Sequence, residues 1–139
     1  MLSTQQKTLF GDSLKIYKFP KTQYLGSKEH LVKWIFDNSP KEVESFLDAF
    51  SGTSVVGYYF KSKNKRVLVN DFLKFNFHIG KALIENKNVT LNDDDISLLL
   101  SENSQADSLI EKVFTDVFFA REQAQFLDNF RANVNLLDN

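Results

Sequence analysis

One stretch near the middle of the chain, Phe46 to Phe60 with the sequence FLDAFSGTSVVGYYF, constrains the fold more than any other. An apolar run ends in Asp48, small residues follow around Gly52, and a second apolar run begins at Val55. This order is typical of a buried strand, a tight turn and the first turns of a helix. Because glycine lacks a Cβ and the first N–H groups of a helix are unpaired, a small ligand can approach the main chain there. The stretch therefore predicts either a ligand-binding turn or a plain strand-to-helix connection in an α/β protein.

The flanking residues extend this stretch into a βαβ unit. We predict a strand over residues 44–48, a helix from 55 to about 62, and a second strand over 66–71. Two strands joined through one helix pair in parallel. Asp48 and Asp71 would then lie at the carboxyl ends of neighbouring strands, which is the edge where open α/β sheets bind ligands.

A helix is also predicted over residues 29–38, upstream of this unit. Leu31, Trp34 and Ile35 recur at helical spacing and would form its inner face, widened by Val32 and Phe36. Ser27 is a good N-cap candidate because its hydroxyl can accept from a free N–H of the first turn.

The remaining segments are mostly helical in pattern. We expect a helix over 72–86, one that starts at Asn92 or Asp93, and one over 121–136 with Phe126, Leu127, Phe130 and Val134 on one face. A short strand is expected at 14–19, and the pattern over residues 106–119 fits either a helix or a short strand at 117–119. The acids at 93–95 are typical of a helix start rather than of a cation site, and His30 and His78 have no partner at metal-ligand spacing.

The composition is that of one globular domain. The chain has 139 residues, of which 42% are hydrophobic and 14% aromatic. It has no cysteine, which excludes a disulfide framework and fits a reducing cytoplasm. Its apolar runs are far shorter than the ~20 residues of a transmembrane helix, and its start has no secretion signal. We therefore expect a cytoplasmic protein without membrane contact.

Charge limits what the whole chain can attract. Seventeen basic and eighteen acidic residues leave a formal net charge of −1. Any surface that binds nucleic acid phosphates must therefore be local or lie outside this chain.

Three nucleotide chemistries compete for the Gly52 turn. A dinucleotide fold requires G-x-G-x-x-G, but Ser54 stands in place of the second glycine. A P-loop requires G-x-x-x-x-G-K-[ST], and although Gly57 fits that spacing, Tyr58 and Tyr59 replace the lysine and the hydroxyl. S-adenosylmethionine carries no phosphate and needs main-chain donors, an acceptor for its ammonium group and an acid for its ribose diol. Asp48 with the turn, and Asp71, could supply these groups.

At these residues the chain resembles the adenine-N6-specific DNA methyltransferases of the DNA adenine methylase family. That family's cofactor motif is an acid, a residue, Phe, a residue, Gly, a residue and Gly, so Asp48, Phe50 and Gly52 match and Ser54 departs. YLGSK at 24–28 resembles the family's upstream cofactor motif, and Asp71 resembles the acid after the second strand. The three motifs follow the family's order over roughly residues 22–86, and the tail at 119–139 resembles the helix that follows in such enzymes.

The resemblance implies an α/β, Rossmann-like S-adenosylmethionine-dependent methyltransferase fold, with residues 1–139 as its N-terminal part: the first half of the sheet and its flanking helices. It implies that Phe50 to Ser54 wrap the methionine moiety and that Asp71 binds the ribose. The cofactor-binding residues expected from the motifs and their chemistry are Tyr24, Gly26, Ser27, Lys28, Asp48, Phe50, Ser51, Gly52, Thr53, Ser54 and Asp71. Structural alternatives are that Tyr24 staples a helix, Lys28 is solvated, Phe50 is a core residue and Asp71 caps the next helix.

The family's catalytic motif, Asp-Pro-Pro-Tyr, is absent, since Pro20 and Pro40 are the only prolines and neither fits it. We therefore expect the cofactor-binding part of a restriction-modification type adenine methyltransferase, inactive alone. DNA would be reached through a missing region or a partner subunit that carries the catalytic motif. One alternative is a non-catalytic S-adenosylmethionine-binding or assembly subunit of a split methyltransferase. Another is a generic α/β nucleotide-binding protein.

Overall fold

The computed structural model describes residues 4–7, 13–16, 18–20 and 24–137 of the chain. The chain divides into two compact units, Met1–Val89 and Thr90–Asn139. The predicted cofactor motifs, at about residues 22–86, all belong to the first unit, as does an antiparallel pair of strands, β1 (Thr4–Lys7) and β2 (Ser13–Ile16). The strand expected at 14–19 corresponds to β2, which begins one residue earlier.

The predicted βαβ unit is confirmed. Strand β3 (Ser45–Asp48) pairs in parallel with β4 (Arg66–Val69), and helix α2 (Val55–Ser62) connects them. Asp48 lies opposite Val69 in the register, so the turn after β3 and the residues after β4 meet at one edge of the sheet. A backbone hydrogen bond from Ser51 N to Asn70 O, 2.9 Å long, joins the two chain segments just beyond the strands.

Two glycines let helices lie close to β4. A Cβ on Gly57 of α2 would lie 3.0 Å from Val69 Cγ1, and a Cβ on Gly80 would lie 2.9 Å from Val69 Cγ2. A Cβ at 2.9 Å is too close for an ordinary contact, and one at 3.0 Å would require the valine to give way by a few tenths of an ångström, so glycine at both positions permits the tight contact of helix and strand.

The core on this face of the sheet is aromatic. Phe60 of α2 is only 1% exposed and stacks on Phe46 of β3 at 4.0 Å between ring centroids. Phe36 meets the same ring edge-on at 5.1 Å. On the other face, Leu47 and Leu68 are 63% and 49% exposed, which leaves that face open among the described residues. Parallel sheets are usually covered on both faces, so this exposure indicates a surface that another element would cover.

The helix predicted over 29–38 exists, and its predicted inner face is right for Val32, Ile35 and Phe36, which are half-buried, but wrong for Leu31 and Trp34. It begins as a 3₁₀ turn (Glu29–Leu31) and continues as α1 (Val32–Asp37). Trp34 is 65% exposed and Leu31 48%, while Phe36 packs inward on the α2 aromatics. The 3₁₀ turn winds more tightly than an α-helix and therefore rotates the side chains away from the expected phase.

The helix predicted over 72–86 is α3 (Lys74–Gly80), followed directly by a π-helical turn (Lys81–Glu85). Lys61 of α2 stabilises the end of that turn, since its Nζ donates to the carbonyls of Leu83, Ile84 and Asn86 at 2.8, 2.8 and 2.7 Å. Burial lowers the pKa of Lys61 to about 8, and the charge of Lys87 acts in the same direction.

The second unit contains α4 (Asp93–Leu100), α5 (Leu109–Phe114) and α6 (Arg121–Val134). Asn92 is the N-cap of α4, as one of the two predicted candidates, and forms a capping box with Asp95. The ambiguous segment at 106–119 forms helix α5, and an isolated bridge joins Thr115 to Phe119.

The expected apolar face of α6 is right only in part, since Leu127 and Phe130 are half-buried, while two of the three fully buried residues, Asp128 and Asn133, are polar and the third is Ala124. Asp128 accepts from Ile110 N and Glu111 N at the start of α5, at 3.0 and 2.9 Å. Asn133 donates to the carbonyls of Leu98 and Ser101 at the end of α4, both at 2.9 Å. The expected Phe126 and Val134 are instead 45% and 46% exposed. The hydrogen-bonding needs of two helix ends decide which face of α6 turns inward.

In the described parts of the chain, no helix combines the length and the apolar character needed to cross a lipid bilayer.

We predict that Lys61→Met makes the protein less stable by about 1 kcal/mol at pH 7, because three carbonyls lose their donor. The difference should grow with pH. Between pH about 8 and 10.5 the unfolded chain keeps a proton at Lys61 that the folded protein has lost, so the wild-type free energy of unfolding gains a rising contribution that the variant lacks. Urea unfolding at pH 7, 8.5 and 9.5 measures this, with the exposed Lys74→Met as control. A constant difference across these pH values would contradict the role given to Lys61.

Candidate cofactor-binding site

The turn between β3 and α2 adopts a left-handed backbone at two positions. Gly52 has φ +50° and Ser54 has φ +60°. Ser54 N donates to Ser51 O at 2.7 Å and closes the turn. Ser54 thus keeps the conformation that a glycine would adopt without strain at this point of the motif.

Asp71 fixes the turn from the neighbouring strand end. Its Oδ2 accepts from Gly52 N at 2.8 Å, and its Oδ1 accepts from Leu73 N and from Asn76 Nδ2, both at 2.9 Å. These donors lower the pKa of Asp71 below its usual value, with the Asn76 hydrogen bond as the largest cause. Asp71 therefore connects the glycine turn to the start of α3 as an ionised carboxylate.

Tyr24 brings the upstream motif to the same place. Its hydroxyl accepts from Asn76 Nδ2 at 3.2 Å, and its ring packs beside Phe75 with centroids 6.2 Å apart. A Cβ on Gly52 would lie 3.4 Å from Tyr24 Cε1, so the ring lies directly against the glycine. Residues from all three sequence motifs, predicted separately, are thus in contact.

The rest of the upstream motif forms a compact turn. Ser27 N donates to Tyr24 O at 3.1 Å and Gly26 has φ +82°, which is typical of a type II turn. The Nζ of Lys28 donates to Gly26 O at 2.7 Å. Lys28 occupies the N-cap position of the 3₁₀ turn, where Ser27 was expected, but the Ser27 hydroxyl does accept from Glu29 N, at 3.4 Å.

Asp48 lies at the end of β3 and is half-buried. Burial raises the pKa of Asp48 above its usual value, against the effect of the N–H groups of Gly57 and Phe50, and the charge of Asp71 raises it further. Gly57 is in the first turn of α2, so the Asp48 carboxylate lies at the positive, N-terminal end of that helix dipole.

The predicted residues of the turn differ in accessibility. Phe50 is 90% exposed, so it is not a core residue, whereas Ser51, Thr53 and Ser54 are 9%, 3% and 0% exposed. The Ser54 hydroxyl lies 3.7 Å from where a Cβ of Gly80 would be, on the inner side of the turn. The side chain that replaces the family's second glycine therefore does not crowd the outer side of the turn.

A groove of about 350 Å³ begins beside the turn, lined at one end by Ser51, Asp71 and Asn76 and further along by Phe77 and Lys81. The surroundings fit a polar ligand with an apolar part. The carboxylate of Asp71 lies just after β4. The exposed ring of Phe50 and the side-chain-free Gly52 lie in the turn after β3. These groups could hold a diol, an apolar chain and a closely approaching main-chain-binding group, respectively.

The sequence did not indicate Asn76, which joins Asp71 to Tyr24. It lies five residues after Asp71 and 52 after Tyr24, and no motif marks it. A polar residue among the aromatics of FNFH was the available signal, and helical spacing alone does not give it a partner.

The family model for D12 class N6 adenine-specific DNA methyltransferases matches residues 24–136 of the chain. That match includes Tyr24 and Asp71 and reaches into α6.

Among curated proteins, the chain is 34% identical over 122 residues to the Type II methyltransferase M2.HphI of Haemophilus parahaemolyticus, which covers 88% of this chain and 36% of the relative. It is 39% identical over 71 residues to the Type II methyltransferase M.FokI of Planomicrobium okeanokoites, covering 48% of the chain and 11% of the relative. It is 41% identical over 68 residues to the modification methylase StsI of Streptococcus sanguinis, covering 46% and 10%. The chain thus spans about a third of the first relative and about a tenth of the others. No solved structure matches it.

We predict that Ser54→Gly raises the free energy of unfolding by roughly 0.5–1 kcal/mol, because glycine adopts the left-handed backbone without strain and removes a buried hydroxyl that has no partner among the described residues. Ser54→Val should lower stability, since a β-branched residue is strained at this φ. Urea unfolding measures the stability of both variants. Ser54→Ala removes the hydroxyl but keeps a Cβ, so it separates the effect of the hydroxyl from the effect of backbone strain. A glycine variant less stable than the wild type would refute the assigned strain.

Proposed function

Because the chain belongs to the D12 class N6 adenine-specific DNA methyltransferase family, we propose that it is the cofactor-binding part of an enzyme that methylates adenine N6 in DNA from S-adenosylmethionine. The observation that carries this proposal is the Asp71 carboxylate. It accepts from Gly52 N and, through Asn76, is linked to Tyr24, so one acid organises three cofactor motifs. We further propose that the chain supplies the first half of a Rossmann-like sheet.

Each group at the strand ends has a proposed role. Three N–H groups already occupy three of the roughly four lone-pair sites of Asp71, so the site that remains, on Oδ2, can accept from one hydroxyl of a ribose. Phe50, exposed beside the turn, supports the apolar methionine chain, with the main chain from Ser51 to Ser54 behind it. The upstream turn that contains Gly26, Ser27 and Lys28 lines the methionine and sulfonium side. Asp48 offers an acceptor for the cofactor's ammonium group. The bound cofactor would supply an electrophilic methyl group, and these residues would hold and orient it.

Charge divides the chain in a way that bears on DNA. The first unit has fourteen Lys and Arg against eight Asp and Glu, a net charge of +6, whereas the second has three against ten, a net charge of −7. Phosphates are attracted by the former and repelled by the latter. We propose that any contact this chain makes with DNA comes from the first unit, and that sequence recognition comes from protein outside these 139 residues.

The catalytic motif is proposed to come from elsewhere too. The chain contains no Asp-Pro-Pro-Tyr, and such a motif is what would accept from the target amine and stack on the flipped base. A partner subunit or a further chain segment would supply it. The open sheet face with Leu47 and Leu68 offers an apolar surface for such a protein.

A second candidate is a non-catalytic subunit of a split methyltransferase that binds S-adenosylmethionine for sensing or assembly. The missing catalytic motif favours it as much as it favours a partnered enzyme. A neighbouring reading frame that encodes Asp-Pro-Pro-Tyr would support the enzyme, and its absence would support the sensor.

We predict that the chain binds S-adenosylhomocysteine, and that Asp71→Ala weakens this binding by about tenfold or more while Lys87→Ala leaves it nearly unchanged. Only the former removes the proposed diol acceptor and the contact with Gly52 N. Calorimetric titration measures both variants, with NAD and ATP as comparison ligands. Tight binding of NAD or ATP without binding of S-adenosylhomocysteine would instead indicate a generic nucleotide-binding protein.

We also predict that the chain alone does not methylate DNA. Incubation with radiolabelled S-adenosylmethionine and an adenine-containing duplex should give no labelled N6-methyladenine, since no group in the chain matches the catalytic motif. Addition of a candidate partner that carries Asp-Pro-Pro-Tyr provides the positive arm. Labelled product from the chain alone would overturn the assignment of catalysis to another protein or segment.

A further inference from the structure

Asn76 occupies an unusual position in the first turn of α3. It is 1% exposed, and its Nδ2 donates both to Asp71 Oδ1 at 2.9 Å and to the Tyr24 hydroxyl at 3.2 Å. Its Oδ1 is buried and has no partner within the part of the chain that the structure describes. The amide nitrogen of Asn76 therefore makes both of these hydrogen bonds, and its amide oxygen makes none with the described residues.

The orientation of the amide follows from its partners. An ionised carboxylate only accepts, so Asp71 requires the nitrogen of Asn76 and excludes the oxygen. The Tyr24 hydroxyl accepts equally well. The amide consequently cannot be turned over to pair its oxygen without placing that oxygen against Asp71.

The unpaired oxygen makes asparagine a costly choice at this position. A buried acceptor without a partner costs free energy, which offsets part of the stabilisation from the two hydrogen bonds of the nitrogen. The amide does provide something that no apolar side chain can: it joins an acid after β4 to a tyrosine of the upstream turn.

We propose that Asn76 is a positioning residue for the methyl-donor site, which holds Asp71 and Tyr24 in the arrangement that binds the cofactor. This inference rests on the proposed function. It assigns a role to a residue outside the three sequence motifs and predicts that its contribution to binding exceeds its contribution to stability.

The hydrogen bond from Asn76 has an electrostatic signature. It is the largest cause that lowers the pKa of Asp71, with Leu73 N and Gly52 N next. Loss of Asn76 therefore lets Asp71 take up a proton at higher pH. Asp48 and Tyr24 are the titratable groups at the same strand ends, and Lys81 and Glu85 line the adjoining groove. All four remain in a variant of Asn76, so a difference between two pH profiles reports on Asp71.

The test is calorimetric titration of the whole chain with S-adenosylhomocysteine between pH 3 and 8, for the wild type and for Asn76→Leu. The variant should bind on the order of tenfold more weakly at pH 7.5. As the solution is acidified, the affinity of the variant should begin to fall at a higher pH than that of the wild type. We call this acidic fall in affinity the acid limb of the profile. The thermal midpoint of the variant should fall by less than the loss of two hydrogen bonds would cause, because leucine also removes the unpaired acceptor.

Two variants provide controls. Tyr24→Phe removes the hydroxyl that accepts from Asn76 Nδ2 but keeps the hydrogen bond from Asn76 to Asp71. It should therefore weaken binding less than Asn76→Leu does and leave the acid limb unchanged. Asn133→Leu replaces an equally buried asparagine whose oxygen and nitrogen are both paired, in the second unit. It should lower the thermal midpoint without moving the acid limb.

The outcomes separate the two proposals. A wild type that does not bind S-adenosylhomocysteine would refute the proposed function, and the role of Asn76 with it. A wild type that binds, beside an Asn76→Leu variant with the same affinity and the same acid limb, would refute the positioning role alone. Should Asn76→Leu not fold, Asn76→Ala is read on the same profile, and an unmoved acid limb there overturns the inference.

Discussion

The structure of the first unit depends on the carboxylate of Asp71. It accepts hydrogen bonds from Gly52 N, Leu73 N and Asn76 Nδ2, and so joins the end of one strand to the turn after its neighbour and to the start of α3. Glycine suits this turn because its φ of +50° lies in the left-handed region, and the ring of Tyr24 packs beside it. Without an acceptor at this point, the N–H of Gly52 would lose its partner, and backbone hydrogen bonds such as that from Ser51 N to Asn70 O would connect the strand ends without the carboxylate.

Local patterns predicted the framework that carries this carboxylate. The run from Phe46 to Asp48, the small residues after it and the β-branched run before Asp71 indicate strand, turn and strand within a few residues each. Their parallel pairing follows from the single connecting helix. The α4 cap at Asn92 was predictable for the same reason, since its partner is only three residues away. The family motifs added the chemistry, which residue spacing alone left open between several ligands.

What the sequence could not predict depends mostly on distant partners. Trp34 faces outward because a 3₁₀ turn precedes its helix and changes the phase of the side chains. Helix α6 turns Asp128 and Asn133 inward because the ends of two other helices need hydrogen-bond partners, which outweighs the burial of Phe126. Asn76 meets Tyr24 across 52 residues, and no periodicity in either segment records that contact. For α6 and Asn76 the decisive neighbour is remote in sequence, whereas for Trp34 the cause is a local change of helix type that residue periodicity does not reveal.

A single acid and its donors shape the two turns that we propose bind a methyl donor. Amide chemical shifts of the nitrogen-15-labelled chain, followed during titration with S-adenosylhomocysteine, test this claim most directly. The account predicts saturable shift changes concentrated at Gly26, Gly52 and Asp71, with the amides of α6 unaffected. Changes confined to other parts of the chain, or none at saturating ligand, would contradict it.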